Sequence, residues 1–212
     1  MSYLRLGVYV ITDSRLAGPR GNLEVVRAAI AGGADAIQLR EKCMPGAKLY
    51  ELGLALRRIT REAGVLYIVN DRIDLALAVE ADGVHVGQDD LPAAIARRLM
   101  GPGKVVGVSA ATVADAVRAL HDGADYLGIG PIYPTGTKAD AGEAVGLSVV
   151  REIRAASHLP VVGIGGISAG NVEAVIRAGA DGVAVISAIV GAPDPREATR
   201  AIREAVLRGR AG

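Results

Sequence analysis

The sequence predicts a single-domain (β/α)8 barrel spanning residues 1–212, and three observations carry that prediction. One phrase recurs four times: a helix-like run, a Gly/Glu-Ala-Asp step, a short apolar strand, then polar residues. The copies are GGADAIQLREK (32–42), EADGVHVGQDD (80–90), GADYLGIGPIYPTGTK (123–138) and GADGVAVISA (179–188). Their aspartates, Asp35, Asp82, Asp125 and Asp181, lie 43 to 56 residues apart, about the length of two strand–helix units. Second, eight β-branched apolar runs alternate with segments of helical periodicity, the pattern of a parallel sheet. Third, no linker or composition break divides the chain. An open doubly wound sheet is the alternative, but a four-fold internal echo favours closure.

The strands are expected at 7–12, 36–39, 65–69, 83–86, 104–108, 126–129, 161–164 and 183–186. Leu23–Ala31, Ala47–Ala63 and Ala114–His121 place apolar residues at three- and four-residue spacing and read as helices. With no Phe or Trp, the core must be packed by Val, Ile, Leu and Ala, which suits barrel layers.

At 212 residues and half apolar, the chain can bury roughly 70% of its unfolded surface. A net charge of +1 argues against a broad nucleic-acid or membrane surface, so any positive charge that matters is local. The lone Cys43 excludes an internal disulfide framework and suits a reducing compartment; with no histidine near it, it reads as bland. The opening MSYLRLGVYVIT is too short for a signal peptide or membrane span and reads as a first strand. A soluble cytoplasmic domain is the expectation.

Polar residues after each strand share one rim, where the chemistry of such barrels occurs. Strand two runs into Gln38-Leu39-Arg40-Glu41-Lys42, whose alternation turns Gln38, Arg40 and Lys42 the same way. An Arg beside a Lys is a polyanion clamp, two-pronged grip next to point charge, unless both serve surface ion pairs. Strand three ends in Asn70-Asp71 and strand four in Gln88-Asp89-Asp90. Two carboxylates beside basic residues point to Mg²⁺ held against phosphate, and parity with Gln88 prefers Asp90 to Asp89. Asn70 and Asp90 read equally as helix N-caps, the latter before Leu91-Pro92.

Ser109 after strand five offers a hydroxyl to a phosphate oxygen. The stretch Gly128–Lys138 holds two prolines, three glycines and Thr135-Gly136-Thr137-Lys138, a shaped loop able to close over substrate. Gly163-Ile164-Gly165-Gly166 and Ile186-Ser187 end strands seven and eight, the usual phosphate site of these barrels; Ser168 reads also as an N-cap. His85, inside a strand, reads as a packed core histidine, and His121 and His158 as surface residues. No Ser/His/Asp, Cys/His, CxxC or HExxH set exists. A diphosphate leaving group beside Mg²⁺, and an uncharged nucleophile adding to a stabilised cation, would need no strong base.

QLREK, NDRIDLALAVEADGVHVGQDD, GVSAAT, DYLGIGPIYPTGTK, VVGIGGIS and GVAVISAI resemble, in order and over residues 7 to 190, the thiamine-phosphate synthase family. That resemblance implies a transferase of thiamine biosynthesis that joins hydroxymethylpyrimidine diphosphate to hydroxyethylthiazole phosphate and releases pyrophosphate through a pyrimidinylmethyl cation. It makes Gln38, Leu39, Arg40, Glu41, Lys42 and Asn70 the pyrimidine-diphosphate site, Asp71 and Asp90 the Mg²⁺ ligands, and Ser109 a diphosphate or pyrimidine contact. Thr135, Gly136, Thr137 and Lys138 become the loop that meets both phosphates, and Gly166, Ile186 and Ser187 the thiazole-phosphate site. Lys138, with Arg40 and Lys42, would stabilise departing pyrophosphate. One departure is Ala111, where family members often carry His or another polar residue. It weighs against the related thiazole tautomerase, which needs a proton-moving histidine near this rim and no metal-binding aspartates. A phosphosugar isomerase and a non-catalytic binding barrel are the other readings. Tyr9 and Tyr133 are the nearest aromatic candidates to grip a pyrimidine.

Overall fold

In the computed structural model, which describes residues 4–137 and 142–211, eight parallel strands close into a barrel with each strand beside its sequence neighbours. The strands are β1 (Val8–Ile11), β2 (Ala36–Leu39), β3 (Leu66–Asn70), β4 (Gly83–Val86), β5 (Val105–Ala110), β6 (Tyr126–Ile129), β7 (Val161–Ile164) and β8 (Gly182–Val185). The expected strands are all present, their ends shifted by at most two residues. The helices are α1 (Ser14–Ala17), α2 (Gly21–Ala31), α3 (Gly46–Ala63), α4 (Ile73–Ala78), α5 (Ala93–Met100), α6 (Val113–His121), α7 (Gly146–Ala156), α8 (Val172–Arg177), α9 (Ser187–Val190) and α10 (Pro195–Ala211). Closure is made by β1 on β8, with Tyr9 opposite Ala184.

Alternation along each strand splits the core into two layers. Val8, Val10, Ile37, Leu39, Val69, Val84, Val106, Leu127, Val161, Val183 and Val185 face outward and pack against the helices. Tyr9, Ile11, Ala36, Ile68, Tyr126, Val162, Ala184 and Ile186 fill the barrel itself. Among the described residues no helix is long and apolar enough to cross a membrane.

The four repeat aspartates sit at the N-terminal end of the barrel, opposite the polar rim. Each precedes an even-numbered strand and makes the same pair of bonds to the odd-numbered strand before it. The Asp35 amide donates to the Val8 carbonyl at 2.8 Å, and the Val8 amide donates back to Asp35 Oδ2 at 2.9 Å. Asp82 does the same with Tyr67, Asp125 with Val106 and Asp181 with Val161, all within 2.8–2.9 Å. Each carboxylate also meets one arginine from the helix after the preceding even strand: Arg57 for Asp82, Arg97 for Asp125, Arg154 for Asp181 and, across the closure, Arg203 for Asp35. The four-fold echo in sequence is thus a structural clamp repeated every two strand–helix units.

Replacing one of these carboxylates strands a strand-edge N–H and a partly buried guanidinium. Asp82→Ala is expected to cost roughly 2 kcal/mol through the unpaired Tyr67 amide and the Arg57 cation. In a thermal melt that is a fall in Tm of about 4–8 °C, with turnover per folded molecule unchanged; an unchanged Tm would remove the clamp's role.

Candidate active site

The strand C-termini open into a cleft of about 320 Å³. One wall is charged, with Arg40 and Lys42 beyond β2, Asn70 and Asp71 at the end of β3, and Gln88, Asp89 and Asp90 beyond β4. The opposite wall carries small groups and backbone: Thr135 and Thr137 beyond β6, Gly165 and Gly166 beyond β7, Ile186 and Ser187 beyond β8. Ser109 and His85 form its floor.

Asp71 holds the left-handed conformation at φ 62°, uncommon for a residue with a side chain and characteristic of functional sites. Its amide donates to the His85 carbonyl at 2.8 Å, and the next amide, Arg72, turns straight back to the Asn70 carbonyl at 2.7 Å. The carboxyl meets that of Asp90, whose Oδ2 also accepts from the Gly87 amide at 2.7 Å. Burial, and then the hydrogen bond and negative charge of Asp90, raise the Asp71 pKa to about 6, against the opposing pull of Lys42 and Arg40. Neither Asn70 nor Asp90 caps a helix: the caps of α4 and α5 are Arg72 and Pro92.

Two carboxylates pressed together beside Arg40 and Lys42 form a donor set of hard oxygens whose repulsion the two cations offset only in part. Among the described residues no three His, Cys, Asp or Glu side chains cluster tightly enough to cage a metal. This pair therefore suits a small divalent cation that takes its remaining ligands from water and phosphate.

Across the cleft, the glycine pair is sterically required. Gly165 and Gly166 lie at φ 96° and 63°; a Cβ on Gly165 would stand 2.5 Å from the Pro131 Cβ, and one on Gly166 2.7 Å from the Pro134 carbonyl. The loop after β6 thus rests directly on the loop after β7. Within it, the Thr137 amide donates to Thr135 Oγ1 at 3.3 Å, bringing both hydroxyls to one side. Lys138 lies outside the described residues.

Several residues expected to bind substrate do not line the cleft. Gln38 is 3% exposed and donates to the Tyr9 hydroxyl inside the barrel at 2.8 Å. Leu39, of opposite parity, packs between sheet and helices. Glu41 bends away and accepts from Asn22 Nδ2 at 2.6 Å and from the Ser14 amide, tying the end of β2 to α1 and α2. Gly136 is exposed and does not line the cleft. Neither tyrosine expected to grip a ring reaches the cleft: Tyr9 is 1% exposed in the barrel, and Tyr133 packs against the outer layer. His85 corrects the sequence reading in the other direction. It lines the cleft and bonds Ser109 Oγ at 3.0 Å, because Gly128 on the adjacent wall leaves room for its ring. His121, His158 and Cys43 are exposed, as expected.

The family profile described as thiamine monophosphate synthase matches residues 8–189. The chain is 58% identical over 203 residues to a thiamine-phosphate synthase of Moorella thermoacetica, covering 96% of this chain and 97% of that one. It is 52% identical to one of Methanoculleus marisnigri, at 96% and 97% coverage. The structure of a thiamine phosphate pyrophosphorylase from Pyrococcus furiosus superposes with a TM-score of 0.90 at 44% identity, covering 97% of this chain and 98% of that one.

The raised Asp71 pKa fixes the sign of a pH effect. Its ionisation is opposed in the fold, so the penalty is absent below the ordinary value of 3.8 and complete above about 6. Asp71→Asn tolerates the left-handed backbone and removes the penalty. It is expected to raise the Tm of metal-free protein at pH 7.5 by about 2–4 °C, roughly 1 kcal/mol after solvent screening at a half-exposed site. The gain should shrink to nothing by about pH 3.8; a gain independent of pH would mean that the carboxyl pair carries no strain.

Proposed function

The chain belongs to the thiamine monophosphate synthase family, and from its rim we infer how its residues carry out the reaction. Its activity is that of a thiamine-phosphate synthase, a transferase. The substrates are hydroxymethylpyrimidine diphosphate and hydroxyethylthiazole phosphate. The observation that carries this reading is the two-sided cleft: Arg40, Lys42, Asp71 and Asp90 on one wall, and glycine amides and hydroxyls on the other.

The charged wall takes the diphosphate. Arg40 grips two of its oxygens at once and Lys42 adds a point charge. Asp71 and Asp90 would hold Mg²⁺, which would supply positive charge beside the leaving diphosphate and relieve the repulsion between the two carboxylates. Thr135, Thr137, Gly166, Ile186 and Ser187 receive the thiazole phosphate on the facing wall, so the two substrates meet over the floor formed by Ser109 and His85.

The bond from the pyrimidine methylene carbon to the diphosphate oxygen breaks, and its electron pair leaves with pyrophosphate. The amino-substituted ring spreads the resulting positive charge, and the thiazole nitrogen lone pair closes the new C–N bond. No proton is abstracted, so the step asks for no general base. The Arg40 and Lys42 charges, held in place before reaction, stabilise the oxygen anion that develops as the C–O bond stretches. Lys138 is placed beside them by the family resemblance alone.

Mixing the protein with both substrates and Mg²⁺ should give thiamine phosphate and pyrophosphate in equal amounts. EDTA should stop the reaction and added Mg²⁺ restore it. Arg40→Ala is expected to lower kcat by roughly 10²–10³, the scale of one preorganised charge contact. Absence of product from intact substrates would reject the substrate pair; turnover indifferent to EDTA would reject the metal; an unchanged kcat in Arg40→Ala would reject the clamp.

A further inference from the structure

A chain of side-chain hydrogen bonds runs through the middle of the barrel and ends on the cleft floor. Gln38 Nε2 donates to the Tyr9 hydroxyl at 2.8 Å, and the Tyr9 and Tyr126 hydroxyls are 2.9 Å apart. Tyr126 then stands 2.9 Å from His85 Nδ1, and His85 Nε2 stands 3.0 Å from Ser109 Oγ. Five side chains on β1, β2, β4, β5 and β6 are linked in series.

The barrel is built to hold this chain. Gly107 lies inside β5, where a Cβ would fall 2.1 Å from the Tyr126 ring; a Cβ on Gly128 in β6 would fall 2.9 Å from the His85 ring. Glycine in a strand interior weakens the strand, so these two positions give up packing to make room for two rings. Tyr9 and Tyr126, 1% and 0% exposed, bury hydroxyls that must find partners.

Proton counting sets the direction of every bond. Each hydroxyl has one proton to donate. Tyr9 accepts from Gln38, and Tyr126 is the other partner of its buried hydroxyl among the described residues, so its own proton goes to Tyr126. The Tyr126 proton then goes to His85 Nδ1. Neutral imidazole with Nδ1 accepting carries its proton on Nε2, which donates to Ser109 Oγ. Among the described residues the Ser109 hydroxyl has no other side-chain partner, so its proton points to the cleft. Burial holds both phenols above their ordinary range, so they remain donors at physiological pH.

We infer that Tyr9 and Tyr126 are positioning residues that fix His85 in its Nε2–H tautomer, and that Ser109 is thereby presented to the substrate as a hydrogen-bond donor. His85 is therefore a donor to Ser109 and not a general base. Ser109 meets an acceptor on the pyrimidine diphosphate, a diphosphate oxygen or a ring nitrogen, rather than the hydrogens of an exocyclic amine. This rests on the reading of Ser109 as a substrate contact.

The tautomer is read directly by ¹⁵N NMR of ligand-free protein near neutral pH, where protonated and bare imidazole nitrogens differ widely in shift. The expected spectrum has a bare Nδ1 and a protonated Nε2 on His85. The opposite tautomer, or a doubly protonated ring, would overturn the inference whether or not any variant folds. Tyr126→Phe removes one hydroxyl and keeps the ring; the His85 signals should then average between tautomers. Its kcat should fall about 10-fold, the scale of one misdirected hydrogen bond, with little change in the KM for the thiazole phosphate. Ser109→Ala should cost less in the Tyr126→Phe background than alone. An unchanged tautomer and kcat in Tyr126→Phe would overturn the positioning role. Because the spectrum needs no substrate, it separates failure of this inference from failure of the proposed substrate pair.

Discussion

Closing a parallel barrel leaves one end where every strand must begin, and the backbone groups there have no further strand to pair with. Here an aspartate ahead of each even strand returns the amide bond of its odd neighbour, and an arginine from the helix before it holds the carboxylate in place. One unit spans two strands and borrows its cation from the preceding unit, so each is incomplete alone. Arg203 of the last helix completes the first unit at Asp35. Chain ends that are remote in sequence are thereby joined by the same contact that joins internal neighbours, and closure becomes a property of the repeat.

The repeat aspartates and arginines of that end pair with one another, while the opposite rim brings two carboxylates together. The arginines at the base are neutralised by partners chosen for stability. At the rim, Asp71 and Asp90 are forced together, and the nearby Arg40 and Lys42 do not cancel the repulsion, since the Asp71 pKa still stands near 6. A site for a polyanion and a dication must contain both signs of charge. Such a surface destabilises the fold locally, and the clamp at the far end supplies the stability that allows it.

The sequence made the strands legible because a parallel barrel strand is a β-branched run bounded by polar residues, and no tertiary effect overrode that pattern. The charged wall was legible for a related reason: Arg40, Lys42, Asp71 and Asp90 lie within four residues of a strand's C-terminal end, on the rim that every strand of a parallel barrel shares. Parity failed at Gln38, which does point inward but stops at the barrel centre, one layer short of the cleft. The bonds of Glu41 to Asn22 and Ser14 were not legible because those partners are distant in sequence. His85 was misread because an inward histidine in a strand is ordinarily enclosed; what opens it to the cleft is Gly128 on a strand 43 residues later. The signal that could have found it is the pairing of unexplained strand glycines with the polar rings that point into the barrel. Gly107 and Gly128 offered that signal, but only the barrel register assigns each glycine its ring.

These glycines also explain why a barrel without Phe or Trp can still have a polar interior. Leu or Val at position 107 or 128 would fill the space with branched carbons and end the matter there. Tyr126 and His85 fill it instead with rings whose polar atoms reach across the barrel axis. A buried polar chain of this kind is worth having only if every member is satisfied, because an orphaned hydroxyl in so dry a place costs as much as the chain provides. Gln38 at one end donates its amide N–H to Tyr9, and Ser109 at the other passes its proton out. The fold therefore transmits an amide's orientation in β2 to a hydroxyl on β5 without a moving part. In a reaction whose rate depends on where a leaving group and a cation sit, rather than on where a proton goes, fixed donors of this kind are what a rigid barrel can contribute to catalysis.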